Sequence, residues 1–195
     1  RRLGAKMGGM HAHVILAAGQ GTRMRSRLPK VLHPLLGKPM LLYALEAALA
    51  LKPERLVVVV GHGGEKVVEA LEGYPVEVAW QKEQLGTAHA LLQAEGLLRD
   101  FPGPFLVTQG DTPLLSPRTL EALLRRVREG AGMALLTAEL PDPTGYGRVF
   151  ADGAGNVSAI IEHRDCTDAQ RDNTLTNAGI YIFDWPRLAA VLPQL

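Results

Sequence analysis

The chain has 195 residues, of which 47% are hydrophobic and 21% are charged, and its formal net charge is +1. This is the composition of a globular domain with enough length for a real core, and such a small net charge gives no bulk attraction to nucleic acid or to a membrane surface. A single cysteine, Cys166, excludes an internal disulfide and suits a reducing cytoplasm, and no apolar run approaches the length of a membrane span. Residues 1–9 are expected to be a leader or tag-like extension, and residues 10–195 to form the folded domain.

Apolar runs and helical patterns alternate along the first two thirds of the chain. The residues Leu56–Val60 are mostly β-branched and apolar without alternation, which is typical of a strand buried on both faces of a parallel sheet. Further strands are predicted over 13–16, 76–80, 105–108 and 133–140. Helices are predicted over 37–51 (with Pro39 in the first turn), 65–71, 87–98 and 116–129. The alternation predicts an α/β fold with a Rossmann-like, doubly wound, mostly parallel sheet.

The pattern changes after residue 140. The segments 148–150 and 157–162 flank a turn rich in glycine, Asp152–Asn156, and together they predict a β-hairpin insertion. A strand is predicted over 178–183, and a last helix begins at Trp185. The polar stretch His163–Asp172, which contains Cys166, is expected to be a surface loop.

The residues that follow the first strand suggest a phosphate site. Gly19 and Gly21 let the backbone turn sharply and come close to a ligand, and their N–H groups can form an anion-binding concavity. Arg23, Arg25, Arg27 and Lys30 add four positive charges within eight residues. The alternative is an ordinary strand-to-helix turn followed by a solvated basic loop. A dinucleotide fingerprint would need a glycine where Met24 stands, and no Gly-Lys-Ser/Thr tripeptide of a P-loop follows.

A second candidate position is Asp111, directly after the predicted strand 105–108. Ligands of open α/β sheets bind at the carboxyl ends of strands, and a carboxylate there is suited to hold Mg²⁺ together with phosphate oxygens and water. The alternative is that Asp111 only caps the turn before Pro113.

The loop Gln81–Thr87 also follows a strand. Glutamine carries both a donor and an acceptor, which suits reading the edge of a base, and a helix start at Gly86–Thr87 could bind a base or a phosphate. Without the other motifs, a polar connection with a capping threonine would explain this loop equally well.

Several motifs in order resemble one family. The first is Leu16-Ala17-Ala18-Gly19-x-Gly21-Thr22-Arg23-Met24, followed by Leu28-Pro29-Lys30, which is similar to the signature loop of sugar-1-phosphate nucleotidyltransferases. The blocks with the letters DPTGYGR at 142–148 and IEH at 161–163 narrow the resemblance from this superfamily to one of its member families. From about residue 12 to about 185, the chain resembles the uridyltransferase domain of the bacterial bifunctional N-acetylglucosamine-1-phosphate uridyltransferase/glucosamine-1-phosphate acetyltransferase family.

The resemblance implies a Mg²⁺-dependent transfer of UMP from UTP to N-acetylglucosamine-1-phosphate, giving UDP-GlcNAc and pyrophosphate for cell-envelope precursors. Arg23 and Lys30 would act as catalytic cations, and Asp111 would hold the metal. The residues implied to bind the nucleotide are Leu16, Ala17, Ala18, Gly19, Gly21, Lys30, Gln81, Gln84, Gly86, Thr87, Gln109, Gly110 and Asp111. Those implied to bind the sugar are Gly147, Glu162 and Asn177.

The chain also departs from this family. Gln109 stands where the family often has an aromatic residue, and Ala88 where it often has glycine. The resemblance implies that a second Mg²⁺ ligand, an asparagine, and a trimer-forming left-handed β-helix lie beyond residue 195, so that the domain is incomplete at its C-terminus. The alternatives are a related transferase using dTTP, CTP, or UTP with glucose-1-phosphate, and a nucleotide-sugar-binding module without catalysis. A nicotinamide-dependent oxidoreductase is a third, more distant alternative.

Overall fold

The computed structural model describes residues 10–19, 26–61, 63–83 and 87–189. The expected leader, residues 1–9, lies outside these ranges. The chain divides into two compact units: the first takes in the described residues up to Ala134 together with those from Ile182 onward, and the second is Leu135–Tyr181.

Strands and helices follow one another along the chain as the patterns predicted. The strands are β1 Ala12–Ala17, β2 Pro34–Leu35, β3 Lys38–Pro39, β4 Arg55–Val60, β5 Glu77–Trp80, β6 Phe105–Gln109, β7 Met133–Glu139, β8 Arg148–Ala151, β9 Val157–Ile161 and β10 Leu175–Phe183. The helices are α1 Met40–Ala50, α2 Gly64–Ala70, α3 Thr87–Leu98, α4 Pro117–Arg128, α5 Asp168–Arg171 and α6 Trp185–Ala189. Short 3₁₀ helices span Lys30–Leu32 and His163–Asp165.

A parallel sheet forms the centre of the first unit. Its strands β5, β4, β1 and β6 lie side by side in that order, and all three pairings are parallel. Ala17 of β1 is opposite Val60 of β4, which in turn is opposite Trp80 of β5. The carboxyl ends of these strands are therefore in register, and the loops that leave them share one edge of the sheet.

The sheet of the first unit is covered on both faces. Because side chains alternate along a strand, Ile15 and Val58 contribute to one face, where they form a buried cluster with residues of α1 and α2. Val14 and Val57, which are also fully buried, contribute to the other face, and α3 contacts β1, β4 and β5. This explains why Leu56–Val60 has no polar alternation, as the sequence predicted.

The start of α1 differs from the prediction. Helix α1 begins at Met40, whereas Lys38 and Pro39 pair with Leu35 and Pro34 in the two-stranded sheet of β2 and β3. The turn between them is Leu36–Gly37, and both residues have positive φ, 51° and 82°. Two successive residues of positive φ make the tight turn of a hairpin, so Gly37 acts as a turn residue and not as the opening of a helix.

The second unit contains the predicted hairpin. Strand β8 pairs antiparallel with β9 and with β10, and β7 also pairs with β10. The Asp152 carboxylate accepts hydrogen bonds from the backbone N–H groups of Ala154 and Asn156, at 2.9 Å each, and so holds the turn. Gly155 has a φ of 82°, which glycine adopts without strain.

The polar stretch His163–Asp172 is more ordered than the surface loop that was predicted. After the 3₁₀ helix, Thr167 and Gln170 form a reciprocal capping box that starts α5. Cys166 is buried, with 5% exposure, and its thiol lies 3.6 Å from the carbonyl oxygen of Ile161. The capping pair, which the polar composition concealed, explains the difference.

Candidate active site

The glycine loop begins at the carboxyl end of β1. Leu16, Ala17 and Ala18 are buried, and the chain reaches the surface at Gly19. A Cβ built at Gly19 would meet nothing within 4 Å, so the backbone is open to close approach there. The predicted site residues Gly21 and Arg23 lie outside the described residues.

Asp111 follows the neighbouring strand β6 through a tightly packed glycine. The Gly110 amide donates to the Leu16 carbonyl at 2.8 Å, which ties this loop to the end of β1. A Cβ built at Gly110 would lie 3.1 Å from Val31 and 3.2 Å from Leu41, closer than most such contacts. Gly110 does not have a positive φ, so its backbone conformation does not require glycine. The close packing around its Cα does.

Lys30 reaches the same place from a different element. It is the first residue of the 3₁₀ helix, whose other two residues, Val31 and Leu32, are buried and fix the helix on the core. Its Nζ atom lies 2.6 Å from Oδ2 of Asp111, although the two residues are 81 positions apart in the chain. The fold thus brings together Lys30 and Asp111, the two charged residues of the predicted nucleotide and metal site that the structure describes.

This ion pair is accessible to a ligand. The side chains of Lys30 and Asp111 are 42% and 28% exposed. An ion pair at such exposure contributes little to stability, about 0–1 kcal/mol. The placement of opposite charges at the open edge of the sheet therefore fits a role in binding better than a role in holding the fold.

The donor chemistry at this position is compatible with Mg²⁺. Asp111 offers hard carboxylate oxygens, and Mg²⁺ in proteins is held by one or two carboxylates, with phosphate oxygens and water completing the octahedron. Over the described ranges, no group of three or more His, Cys, Asp or Glu side chains could form a protein cage for a metal ion. The Asp111 carboxylate can therefore supply one of the oxygen ligands of a Mg²⁺ ion.

Two of the predicted glutamines lie at the same edge. Gln81 directly follows β5, is only 3% exposed, and donates its backbone N–H to the Val60 carbonyl at 2.8 Å. Gln109 is the last residue of β6, and its carbonyl accepts a 2.8 Å hydrogen bond from the Thr112 hydroxyl. Gln84 and Gly86 lie outside the described residues, and Thr87 is the first residue of α3.

The three predicted sugar-binding residues cluster within the second unit. The backbone N–H of Asn177 donates to the Gly147 carbonyl at 2.9 Å. A Cβ built at Gly147 would lie 3.3 Å from Oε1 of Glu162. Asn177 Nδ2 donates to the Tyr181 hydroxyl at 2.6 Å, and its Oδ1 accepts from the Gly179 amide at 2.9 Å. The Asn177 carboxamide is therefore held in one orientation, while the Glu162 side chain is exposed.

Two residues next to the predicted site residues, Arg148 and His89, were not predicted to have a role. The Arg148 guanidinium is buried and donates to the carbonyls of Tyr146 and Arg171, joining β8 to the end of α5. His89 lies against Gln81 and was not singled out by any motif. Arg148 is the last residue of the block at 142–148, but its contacts could not be read from that motif. His89 has no signal in a single sequence and becomes recognisable only through its contacts.

The fold has a counterpart among solved structures. It superimposes on a crystal structure of UDP-glucose pyrophosphorylase complexed with UDP-glucose, with a TM-score of 0.78 and 21% sequence identity over 95% of this chain and 80% of that one. The fold class predicted from the sequence, an α/β nucleotidyltransferase fold with a mostly parallel sheet, is confirmed.

The sequence comparison then identifies the family. The model of the MobA-like NTP transferase domain matches residues 13–166, and the chain belongs to this family of nucleotidyltransferases. It is 86% identical over 175 residues to the bifunctional protein GlmU of Thermus thermophilus, covering 90% of this chain and 38% of that protein. It is 53% identical over 188 residues to the bifunctional protein GlmU of Prochlorococcus marinus, covering 95% and 42%.

These relatives confirm the family resemblance that the motifs predicted. The chain spans about two fifths of the length of the curated relatives it matches. No helix in the described part of the chain combines the length and the apolar character that crossing a membrane demands.

Proposed function

We propose that this chain transfers UMP from UTP to N-acetylglucosamine-1-phosphate, with UDP-GlcNAc and pyrophosphate as products. The observation that carries the proposal is the contact between Lys30 and Asp111 at the edge of the sheet where the glycine loop begins. A cation beside a carboxylate, next to an open glycine backbone, suits a triphosphate with its metal ion better than it suits a neutral ligand.

The proposed reaction is an in-line displacement at the α-phosphorus of UTP. An oxygen of the sugar phosphate forms a new bond to the α-phosphorus, the bond from that phosphorus to the oxygen bridging to the β-phosphorus breaks, and pyrophosphate leaves with the electron pair. Such a reaction requires positioning and charge neutralisation, and no side-chain nucleophile is needed.

The residues of this chain would divide these tasks. The ammonium of Lys30, together with Arg23, would neutralise charge on the phosphates as the transferred group moves. Asp111 would hold Mg²⁺, which when bound draws negative charge from the triphosphate. Leu16–Gly19 would offer the backbone on which the nucleotide lies, and the buried Gln81 would read the base.

The residues that would bind the sugar belong to the second unit. Its cluster of Gly147, Glu162 and Asn177 offers a carboxylate, a fixed carboxamide and a backbone without a side chain. Hydroxyl and N-acetyl groups of a sugar are bound by such donors and acceptors. We propose that the reaction takes place in the cytoplasm, whose reducing conditions a chain with one cysteine suits.

The test is pyrophosphate release from UTP, dTTP or CTP, each combined with N-acetylglucosamine-1-phosphate or glucose-1-phosphate, with and without Mg²⁺. The proposal predicts release that depends on Mg²⁺ and is fastest with UTP and N-acetylglucosamine-1-phosphate. Faster release with another pair would assign the chain to a different sugar-1-phosphate nucleotidyltransferase. Tight binding of UDP-GlcNAc without release from any pair would leave a binding module in place of an enzyme.

A further inference from the structure

Arg148 is a buried cation without an ion pair. The residue is 1% exposed, and its guanidinium donates to the carbonyl oxygens of Tyr146 and, at 3.3 Å, of Arg171. A third contact, also of 3.3 Å, joins its Nη2 atom to Nδ1 of His163. None of the ion pairs within residues 10–19, 26–61, 63–83 and 87–189 includes Arg148. Because burying a charge without a counter-charge costs stability, these contacts are better explained by a role at a site than by a gain in stability.

The contact with His163 determines where that ring carries its proton. A guanidinium has five N–H donors and no acceptor, so Nδ1 of His163 must accept the hydrogen bond from Arg148. An imidazole whose Nδ1 accepts is neutral and carries its proton on Nε2. His163 is therefore neutral when it contacts Arg148.

Two of the three contacts are made with residues that adjoin proposed sugar-binding residues in the chain. Tyr146 directly precedes Gly147, and His163 directly follows Glu162 as the first residue of a 3₁₀ helix. The guanidinium of Arg148 therefore joins the segment that carries Gly147 to the segment that carries Glu162. Because a guanidinium is planar and its donors have fixed directions, it also fixes how these segments are placed relative to each other.

The register of the sheet places the Arg148 side chain behind the sugar-binding residues. Arg148 is opposite Ile161 of β9 and Thr176 of β10, and the residues that follow these two are Glu162 and Asn177. Successive side chains along a strand point to opposite faces of a sheet. The Arg148 side chain therefore lies on one face, and the side chains of Glu162 and Asn177 lie on the other.

The peptide bond between Tyr146 and Gly147 connects the two faces. A Cβ built at Gly147 would lie 3.3 Å from Oε1 of Glu162 and 3.7 Å from Cβ of Asn177, so Gly147 belongs to their face. This peptide bond is trans, which makes its C=O and N–H groups point in opposite directions. Because the Tyr146 carbonyl is directed toward the guanidinium of Arg148, the N–H group of Gly147 is directed toward Glu162 and Asn177.

We infer that Arg148 is a positioning residue for the sugar, which orients the N–H group of Gly147 as a donor and holds Glu162 beside it from the opposite face of the sheet. This rests on the proposed function, in which Gly147 and Glu162 bind the sugar. A backbone donor beside a carboxylate can pair with the oxygen acceptors and the hydroxyl groups of a hexose. UTP has no hexose, so the loss of Arg148 should weaken the binding of UDP-GlcNAc and leave that of UTP unchanged.

The first experiment measures the tautomer of His163 without any ligand. In the chain labelled with ¹⁵N, long-range ¹H–¹⁵N correlation spectra distinguish a ring protonated at Nε2 from one protonated at Nδ1. Near neutral pH we expect the Nε2–H form in the unsubstituted chain, and a mixture of tautomers in Arg148→Met, which removes the donor. A ring protonated at Nδ1 in the unsubstituted chain would overturn the inference, whatever the chain is found to bind.

The second experiment measures the dissociation constants of UDP-GlcNAc and UTP by calorimetry. In Arg148→Met we expect the ratio of the UDP-GlcNAc to the UTP constant to rise about tenfold or more, because an oriented hydrogen bond to the hexose is lost. Arg148→Lys keeps the charge and can still reach one acceptor, so it should raise the ratio less.

Variants of His163 test the same contact at a position that is only partly buried. His163→Phe keeps a ring but removes the acceptor, and it should raise the ratio of the two dissociation constants. His163→Gln provides a side-chain oxygen that can accept from Arg148, and it should return the ratio toward that of the unsubstituted chain. Arg164→Gln is the matched control, because the neighbouring Arg164 side chain is 87% exposed, and it should leave the ratio unchanged.

The outcomes separate this inference from the proposed function. If the unsubstituted chain binds both ligands and neither Arg148→Lys nor His163→Phe changes the ratio, the inference is wrong and the proposed function stands. If His163→Phe weakens UDP-GlcNAc and UTP equally, its role is structural only, and the inference is again wrong. If the unsubstituted chain binds UTP but not UDP-GlcNAc, the proposed sugar is wrong and the inference fails with it, even where the tautomer of His163 is the expected one.

Discussion

At the scale of single residues, the contact between Lys30 and Asp111 distinguishes a binding role from a structural one. Asp111→Asn removes the charge and keeps the shape of the side chain. Because the pair is partly exposed, we expect the free energy of unfolding to change by no more than about 1 kcal/mol. Turnover that depends on Mg²⁺ should fall about 100-fold or more, since the carboxylate proposed to hold the metal ion is lost, and with it the metal's stabilisation of charge in the transition state.

The matched variant for this prediction is Lys38→Met, which breaks a partly exposed ion pair with Glu46 outside the proposed site. It should change stability by a similar small amount and leave turnover unaltered. Lys30→Met should reduce turnover as Asp111→Asn does. A large loss of stability in Asp111→Asn, with turnover retained, would show that Asp111 caps a turn, which is the alternative that the sequence left open.

His13 makes stability depend on pH in the acid range. It is fully buried in β1, and its Nε2 lies 2.9 Å from the Thr108 hydroxyl of the neighbouring strand. Burial, together with the nearby His11, lowers the pKa of His13 from 6.5 to about 3. His13 therefore binds a proton near pH 6.5 in the unfolded chain but only near pH 3 in the folded chain. Because the unfolded chain binds more protons between these pH values, the free energy of unfolding should fall as the pH is lowered, by about 1.4 kcal/mol per pH unit from this residue.

Urea unfolding at several pH values between 7 and 4 measures this dependence. His13→Gln, which does not titrate, should flatten the decline. Thr108→Val is the control, because it removes the hydrogen bond but leaves His13 buried, so it should lower stability at every pH and keep the slope. An unchanged slope in His13→Gln would show that another group is responsible for the loss of stability in acid.

At the scale of elements, the close packing where β6 passes into its loop is possible because Gly110 has no Cβ. In Gly110→Ala the new methyl group would lie 3.1 Å from Val31 and 3.2 Å from Leu41, so these core residues must shift. We expect a loss of about 1–3 kcal/mol of stability. Turnover should also fall, because Asp111 is the next residue and moves with the strand end.

Gly96→Ala is the matched control for this effect. Gly96 lies inside α3, and a Cβ there would meet nothing within 4 Å. Alanine is favoured over glycine within a helix by about 0.5–1 kcal/mol, so this variant should raise the melting temperature. Thermal unfolding of the two variants should therefore show shifts of opposite sign. A neutral Gly110→Ala would mean that the packing around the strand end is looser than the structure indicates.

The elements that could be predicted from the sequence are those whose pattern is long and local. Leu56–Val60 forms all but the first residue of β4, because an unbroken, mostly β-branched run suits a strand with both faces buried. Ser116 with Pro117 marks the start of α4, where the serine hydroxyl accepts from the Thr119 backbone N–H. The hairpin of β2 and β3 could not be predicted, because two-residue strands have no periodicity to detect, and the prediction that residues 37–39 open α1 is wrong. The capping box of Thr167 and Gln170 was missed because the surrounding residues are polar throughout.

At the scale of the whole molecule, the predicted site residues that the structure describes fall into two groups, each local to one unit. Asp111 and Gln81 follow the ends of β6 and β5, which the parallel register brings to one edge, and this could be expected from the order of the strands. Lys30 reaches the same edge from the 3₁₀ helix and contacts Asp111 there. The orientation of each side chain could not be predicted in this way. The contacts of Gln81 with His89, and of Asn177 with Tyr181, depend on packing between residues that no motif links.

The most direct test of the proposed function is calorimetric titration of this chain with UDP-GlcNAc, followed by UDP-glucose, UTP and NAD. Binding requires the pocket alone, whereas turnover also requires every catalytic group. We expect UDP-GlcNAc to bind more tightly than UDP-glucose and NAD not to bind. Equal binding of the two sugar nucleotides would contradict the assignment of the sugar, and binding of NAD in their place would contradict the interpretation of the glycine loop as a nucleoside triphosphate site.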